Sequence, residues 1–407
     1  MRVCFFNRSY WPDMAATGQL LTELAEDLAG THGYDVSVVA GRPLRGAAPG
    51  AARWAPITGE ARNGVRIFRA NGTTLAPRRF AGRAANYLTY FASACLAGLR
   101  IPRPDVVVAL TDPPIIGLAA LMTARLSRAR FVFLCEDVFP EVAALLEDFH
   151  SDLVNRTLDR LNRHLLRHAD AVVALGDRMK RRLVEEKGAR ADRVHVIHNW
   201  ADCAAIVPQP KDGPFAREHG LVDRFVLMHS GNVGLSQALD VLLDAAALLQ
   251  DDPSIVIVIV GDGTKRAALE ARAASEKLTN VRFLPYQPKA MLAGSFAAAD
   301  VFLVSLEPGL EGYIVPSKLY GILAAGRAFI AAVEPDCEAA VIAREDACGL
   351  AVPPRDPEAL AAAVRRLAAD RALTARLGLA AREAARRFDR PVAVGAYAEL
   401  LRRVAGR

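Results

Sequence analysis

Two runs of short apolar strands alternating with helices, separated by one break, constrain this chain more than any other feature. The first run reads as strands at 3–7, 35–40, 65–70, 105–110, 130–135, 171–175 and 194–197. Helical spacing of apolar residues falls between them, near 17–30, 83–99, 114–127, 151–167 and 177–187. This order predicts a parallel sheet covered on both faces. The stretch 42–64 is rich in Gly, Pro and Arg and reads as a long loop. From 199 to 223 the pattern lapses into Pro, Asp and Gly without an apolar period, as an interdomain linker does. A second run follows, with strands at 225–230, 255–260, 281–284, 301–305, 328–332 and 350–352. Its helices lie near 236–250, 264–277, 288–298, 316–325 and 356–369, then 371–387 and 391–405. The expected fold class is α/β, with two tandem Rossmann-like domains: 1–200, a linker 201–223, and 224–390. A last helix in 391–407 is free to pack back on the first domain. Ligands of such sheets sit at the carboxyl ends of the strands, so two domains facing a central cleft are expected to share one site.

Composition narrows the function classes. Of 407 residues 52% are apolar and 24% charged, enough to bury a core. No run of about 18 apolar residues suggests a membrane span, and the apolar stretch in MRVCFFNRSYWPD is too short for a signal peptide. A cytoplasmic protein is expected. The net charge is +6, and residues 1–200 carry 27 Lys and Arg against 20 Asp and Glu, while 201–407 carry 24 against 25. A basic first half suits an anionic partner, although an arginine-rich composition alone produces the same excess. The six cysteines, Cys4, Cys95, Cys135, Cys203, Cys337 and Cys348, form no CxxC pair, which disfavours a zinc knuckle or disulfide scaffold.

Three segments of the second run carry chemistry. The strand FVLMHS runs into Gly231-Asn232-Val233-Gly234, and IVIVIV runs into Gly261-Asp262-Gly263. Glycine turns between strand and helix let backbone N–H groups approach a phosphate, and they also serve any tight turn. Arg266 stands where a dinucleotide fingerprint needs its third glycine, and no acidic residue follows about 20 residues on, so NAD is disfavoured. The third segment runs from Glu311 to Gly326, with Pro316, Ser317 and Lys318 at an expected helix start. A lysine there opposes the helix dipole by about 0.3–1 kcal/mol unless an anion neutralises it; a solvated lysine is the alternative. No D-x-D triplet occurs, and the eight histidines show no metal-ligand spacing, so no bound metal or cofactor is expected.

Together these segments resemble glycosyltransferase family 4, the retaining group with the GT-B fold. The matching features are SGNVG, GDG, the stretch LPYQP, and E-G-x-x-x-P-S-K-x-Y-x-x-x-A-A-G. YWPDMAATGQLLTELAEDL, VIHNWAD and EDVFPE match the family's first domain, and the detail is closest to its WbuB-like branch of O-antigen and capsule sugar transferases. The resemblance implies transfer of a sugar, an N-acetylated amino-deoxy sugar in that branch, from a UDP-sugar to a lipid-diphosphate-linked saccharide, with retention. It implies donor binding by Gly231, Asn232, Gly234, Gly261, Gly263, Tyr286, Gln287, Pro316, Ser317, Lys318 and Gly321, with Glu311 against the donor sugar and Glu311, Asp137 and Lys318 as catalytic residues. Two departures stand out. Gly321 occupies the place of the family's second Glu, which binds the ribose, and Asn232 and Gln237 replace two cations of the first glycine loop. Lys318, backbone N–H groups and Lys265 or Arg327 then remain to hold the diphosphate.

The acceptor is expected on the first domain, near Gly18, Gln19, Glu136, Asp137 and Asn199. Glu136 or Asp137 would orient or deprotonate its hydroxyl, or else cap the following helix. Arginines and aromatics in 78–91, with Tyr87, Tyr90 and Phe91, suggest a patch for the inner surface of the cytoplasmic membrane, or an ordinary buried helix. Two rivals are a UDP-sugar 2-epimerase of the same fold and a nucleic-acid-binding protein. The P-S-K and AATGQ segments count against the first, and the second lacks a recognition motif, so no nucleic-acid partner is expected.

Overall fold

The computed structural model describes residues 1–13, 15–43, 55–73, 75, 80–146 and 151–406, side chains at 80, 81, 83 and 84 apart. It divides into two compact units, Met1–His198 with Ala393–Arg407, and Asn199–Val392. The chain thus returns to its first unit at the end.

The first unit is built on eight strands: β1 (Arg2–Phe6), β2 (Asp35–Ala40), β3 (Ile57–Arg62), β4 (Val65–Ala70), β5 (Val106–Ala109), β6 (Arg130–Cys135), β7 (Ala171–Ala174) and β8 (Val194–Val196). They lie in the order β3-β4-β2-β1-β5-β6-β7-β8. Seven are parallel and almost continuously apolar, as strands covered on both faces must be. The exception is β3, which pairs antiparallel with β4, Arg62 opposite Val65. This corrects the reading of 42–64 as loop throughout. Asn63 and Gly64 both have positive φ, 44° and 81°, the requirement of a two-residue hairpin turn. Around the sheet are α1 (Ala16–Gly30), α2 (Phe80–Gly98), α3 (Ile116–Ser127), α4 (Glu141–Leu145), α5 (Asp152–His168) and α6 (Asp177–Glu185).

The second unit has six parallel strands: β9 (Phe225–Ser230), β10 (Ile255–Val260), β11 (Val281–Leu284), β12 (Val301–Ser305), β13 (Ala328–Ala332) and β14 (Gly349–Val352), in the order β11-β10-β9-β12-β13-β14. Its helices are α7 (Pro214–Glu218), α8 (Asp240–Leu248), α9 (Arg266–Ser275), α10 (Leu292–Ala297), α11 (Lys318–Ala324), α12 (Glu338–Glu345), α13 (Pro357–Ala369) and α14 (Arg371–Ala385). Residues 201–223 are no free linker. Ile206 and Phe215 are buried, Lys211 pairs with Asp300, and the segment packs within this unit. Its apolar residues cluster at 203–207, 215–216 and 221–222 instead of recurring at a strand or helix period. The last helix, α15 (Arg390–Val404), groups with the first unit from Ala393 onward. There the Tyr34 hydroxyl donates to Ala398 O at 3.0 Å, and Tyr397 is buried.

Strand order places the sites. In the first sheet the order reverses at β1, which lies between β2 and β5; in the second it reverses at β9, between β10 and β12. At such a reversal the loops leave to opposite faces and open a crevice at the carboxyl ends. Among the described residues no helix is long and apolar enough to cross a membrane.

Candidate functional site

At the carboxyl edge of the second sheet, the turn after β9 is stacked on the turn after β10. Gly231 N donates to Val260 O at 2.9 Å, Val233 N to Asp262 O at 2.9 Å, and Lys265 N to Val233 O at 3.0 Å. The glycines permit this approach. Gly261 has φ +141°, and a Cβ on it would lie 2.9 Å from the Gly231 carbonyl carbon and nearer still to its oxygen. A Cβ on Gly263 would meet Asn232 Oδ1 at 2.8 Å. Asn232 therefore folds its amide back over the turns. Gln237 closes the same turn, its Oε1 accepting from Gly234 N at 3.1 Å.

Beneath this stack lies His229, fully buried at the end of β9. Its Nε2 is 3.3 Å from Asn232 O, and a carbonyl only accepts, so Nε2 carries the proton. Burial, and then the neighbouring Lys318, push the imidazole well below its ordinary pKa, so the ring is neutral. Lys318 Nζ is 3.4 Å from both ring nitrogens. With Nε2 carrying the proton, Nδ1 is the ring nitrogen left to accept from Lys318. Lys318 makes no ion pair among the described residues, and desolvation brings its ammonium down to about 7. The side chain is half-buried, so Lys318 is not a fully solvated lysine.

The neighbours of Lys318 differ in part from expectation. α11 begins at Lys318 with Ser317 in the cap position, so Pro316 precedes the helix instead of opening it. Glu311 is buried in the loop after β12 and forms an isolated bridge with Ile314. Tyr286 is exposed at the end of edge strand β11, and Gln287 Nε2 donates to Pro285 O at 3.0 Å. The direction a side chain would take from Gly321 is filled by the Phe296 ring at 3.3 Å and Ile206, so packing favours glycine there. Arg327 is not on this edge. It immediately precedes β13, and its electrostatic partner Asp300 immediately precedes β12, so both lie at the amino ends of the strands. Lys265 is paired with Asp240 at 3.3 Å. Lys318 is thus the cation the structure leaves unpaired at the turns.

The first unit has its own polar cluster at its order reversal, which sequence reasoning missed. Ser9 Oγ donates to Asp112 Oδ2 at 2.6 Å, and Arg8 Nε lies 3.2 Å from Asp112 Oδ1. Arg8 also lies over the Tyr87 ring, 5.3 Å from its centre. Asp137, after β6, takes its N–H to Thr111 Oγ1 at 3.3 Å. Its carboxyl is pushed up to about 6, by burial first and by Asp112 second. Neither Glu136 nor Asp137 caps α4, which starts at Glu141 with Pro140 in the cap position. Instead the EDVFPE segment is pinned by Lys187, whose buried ammonium bonds Phe139 O at 3.3 Å, Asp159 at 2.7 Å and Glu141. Glu136 faces Tyr397 of the last helix. Gly18 is buried: a Cβ there would meet Ser9 at 3.2 Å, so it seats α1 under the Ser9–Tyr10 loop. Gln19 is half-buried one residue on, and Asn199 is buried after β8, assigned to the second unit.

The membrane patch is corrected in part. Tyr90 is buried, its hydroxyl without a hydrogen-bond partner, and Tyr87 packs under Arg8. Arg78 and Arg79 lie outside the described residues, as does the Arg83 side chain.

Residues 224–370 match the profile described as glycosyl transferases group 1, and residues 16–200 match that of a glycosyl transferase 4-like domain. The chain belongs to the group 1 glycosyltransferases. It is 32% identical over 268 residues to the probable glycosyltransferase WbjE of Pseudomonas aeruginosa, covering 64% of this chain and 66% of that protein. It is 27% identical over 345 residues to the putative colanic acid biosynthesis glycosyl transferase WcaI of Escherichia coli K12, covering 80% and 82%. The crystal structure of Anabaena HepE in complex with UDP and glucose superposes with a TM-score of 0.75 at 19% identity, over 98% of this chain and 99% of that one. This likeness establishes the GT-B fold. The family assignment leaves the epimerase rival without support.

Proposed function

We propose that this glycosyltransferase moves a sugar from a UDP-sugar to a lipid-diphosphate-linked saccharide during assembly of a bacterial surface polysaccharide. The observation that carries the reading is the pair of stacked glycine turns with the unpaired ammonium of Lys318 beside them. A cation without an ion pair, set beside two glycine turns that leave room for close approach, favours an anion at this edge, and a nucleoside diphosphate leaves as such an anion. WcaI is described as acting in colanic acid biosynthesis, and the HepE structure holds UDP and glucose; both support the reading. Resemblance to the WbuB-like branch adds an N-acetylated amino-deoxy sugar and retention of configuration, and the missing D-x-D pair adds independence from metal.

The acceptor is assigned to the first unit, where Asp137 meets the acceptor hydroxyl beside the Ser9–Asp112–Arg8 cluster. Membrane approach is assigned to α2. Leu88, Ala92, Leu96 and then Leu99 are exposed on one side of this helix and just past its end, within an arc of about 100°. This aliphatic stripe, with the arginines at 78, 79 and 83, suits reversible docking at the inner face of the cytoplasmic membrane. A saturation-transfer NMR screen of UDP-, GDP- and TDP-sugars tests the donor. Uridine signals alone are expected to respond, and a preferred response from another base overturns the UDP assignment.

A further inference from the structure

The contact between His229 and Lys318 has no role in the catalytic scheme above. A fully buried histidine at the end of a central strand is more than filler when it touches both the glycine turn and the one unpaired lysine beside it. His229 Nε2–H is committed to Asn232 O, which fixes the ring and the turn to one another. The ring's remaining nitrogen, Nδ1, can take one Lys318 N–H at 3.4 Å. Lys318 has up to three N–H donors and no carboxylate acceptor among the described residues. The turn after β10 carries Asp262, whose Oδ1 accepts from Gly263 N at 2.8 Å, Lys265, held by Asp240, and Arg266, held by Glu270 and bonded to Leu284 O at 2.8 Å; the loop after β12 carries the buried Glu311. The turn after β9 offers backbone, Asn232 and Gln237, all neutral. Among the described residues the titratable side chain within hydrogen-bond distance of Lys318 is His229, which burial keeps uncharged.

We propose that His229 and Lys318 form a proton-linked clamp for the donor diphosphate: the neutral imidazole holds the lysine amine against the Gly231–Gly234 turn, and diphosphate binding draws one proton from solvent onto that amine. His229 is a positioning residue in this scheme, and Lys318 is the group that meets the phosphates. The proposal rests on the donor reading above. The proton balance is simple. In the free protein near pH 8 the amine is mostly neutral, because its ordinary value is brought down to about 7. The diphosphate restores a counter-charge, the amine takes a proton from water or buffer, and the bound state holds an ammonium. Binding that raises a pKa is tightest where the group is already protonated. Affinity is thus full below pH 7 and falls about tenfold per unit above it, until the bound-state value is reached.

UDP is the probe. Its phosphate ionises near pH 6, so between pH 7.5 and 9 the diphosphate is fully charged and adds no pH dependence of its own. Calorimetric titration of the full chain with UDP at pH 8, in two buffers of different ionisation enthalpy, is expected to show uptake of close to one proton. The dissociation constant should weaken about tenfold between pH 8 and 9. Lys318→Arg keeps a permanent charge and should lose both the uptake and the pH dependence. His229→Leu removes the polar ring and makes the amine harder to charge, so the onset of weakening should move to lower pH. A merely structural histidine would weaken binding equally at every pH. UDP binding without proton uptake overturns the clamp alone, as does uptake that persists in Lys318→Arg. An unmoved onset in His229→Leu removes His229 from it. Absence of UDP binding at every pH overturns the donor reading and the clamp together.

Discussion

Substituting Gly261 by alanine tests whether the two glycine turns must touch. The new Cβ would sit 2.9 Å from the carbonyl carbon of Gly231 and closer to its oxygen, and both are backbone, so no side chain can swing away. Either the turns separate, or β9 and β10 shift in register against Leu284. The φ of +141° adds strain of about 1–3 kcal/mol for a residue with a Cβ. Overpacking adds about 1–3 kcal/mol. Taking about 3–5 kcal/mol together, and 2–4 °C per kcal/mol for a unit of this size, the melting temperature should fall by about 6–20 °C. UDP binding should be lost with it, because the separated turns no longer hold the glycine backbone beside Lys318. Gly395→Ala is the control. It lies in α15 with nothing within 4 Å of the added atom, so the helix should gain up to about 1 kcal/mol. Scanning calorimetry with and without UDP reads both. If Gly261→Ala melts within about 2 °C of wild type and still binds UDP, the stacked turns are not what builds the site.

Asp137 sets a pH limit if it acts on the acceptor: kcat/KM should fall about tenfold per unit below pH 6, and Asp137→Asn should abolish that limb along with most activity. The stability sign is opposite. A carboxyl raised above its ordinary value stabilises the fold only at low pH, so Asp137→Asn should gain about 1–2 kcal/mol in urea unfolding at pH 8 and nothing at pH 4. Glu311→Gln should lower kcat by tenfold or more with UDP affinity changed less than threefold, as measured by turnover and titration; an equal loss of both would place Glu311 on the nucleotide. Transfer should survive EDTA, since no D-x-D pair is available to hold a metal, and a complete loss restored by Mg²⁺ or Mn²⁺ would refute this. Co-sedimentation with anionic liposomes should drop in a Leu88→Asp, Leu96→Asp variant and in an Arg78, Arg79, Arg83→Ala variant, and should fall with salt. Unchanged sedimentation of both would make α2 an ordinary surface helix.

The strands were legible because their residues are apolar on both faces. β2, β4, β6, β9, β10, β11, β12 and β13 begin and end where the apolar runs do. β3 was not, since ITGEAR alternates weakly and lies at an edge where one face meets water. The Asn63-Gly64 turn announces it, a local signal outweighed by the surrounding Gly, Pro and Arg. Lys318 was legible from its motif, but His229 was not. Its importance arises from pairing β9 with β10 and from a helix that returns about 90 residues later, neither of which leaves a mark within a short window. The Arg8–Asp112 pair has the same origin, since β1 and β5 are neighbours only in the sheet. Arg327 shows the converse error: proximity to the P-S-K segment in sequence put it at the site, and one helical passage carries it to the opposite edge.

The return of the chain to its first unit has a consequence for synthesis. Tyr397, Ala398 and Leu401 are buried in that unit, yet they are made only after the whole of the second unit. At about 5–20 residues per second, the first unit waits roughly 10–40 s after its β8 strand is made, with the place of α15 still open and apolar. The second unit is complete before the first can close. A nascent chain stalled or truncated before Ala393 would therefore carry a finished second unit and an unfinished first unit, and chaperones that recognise exposed apolar grooves would find it at the first unit, not at the point where synthesis stopped.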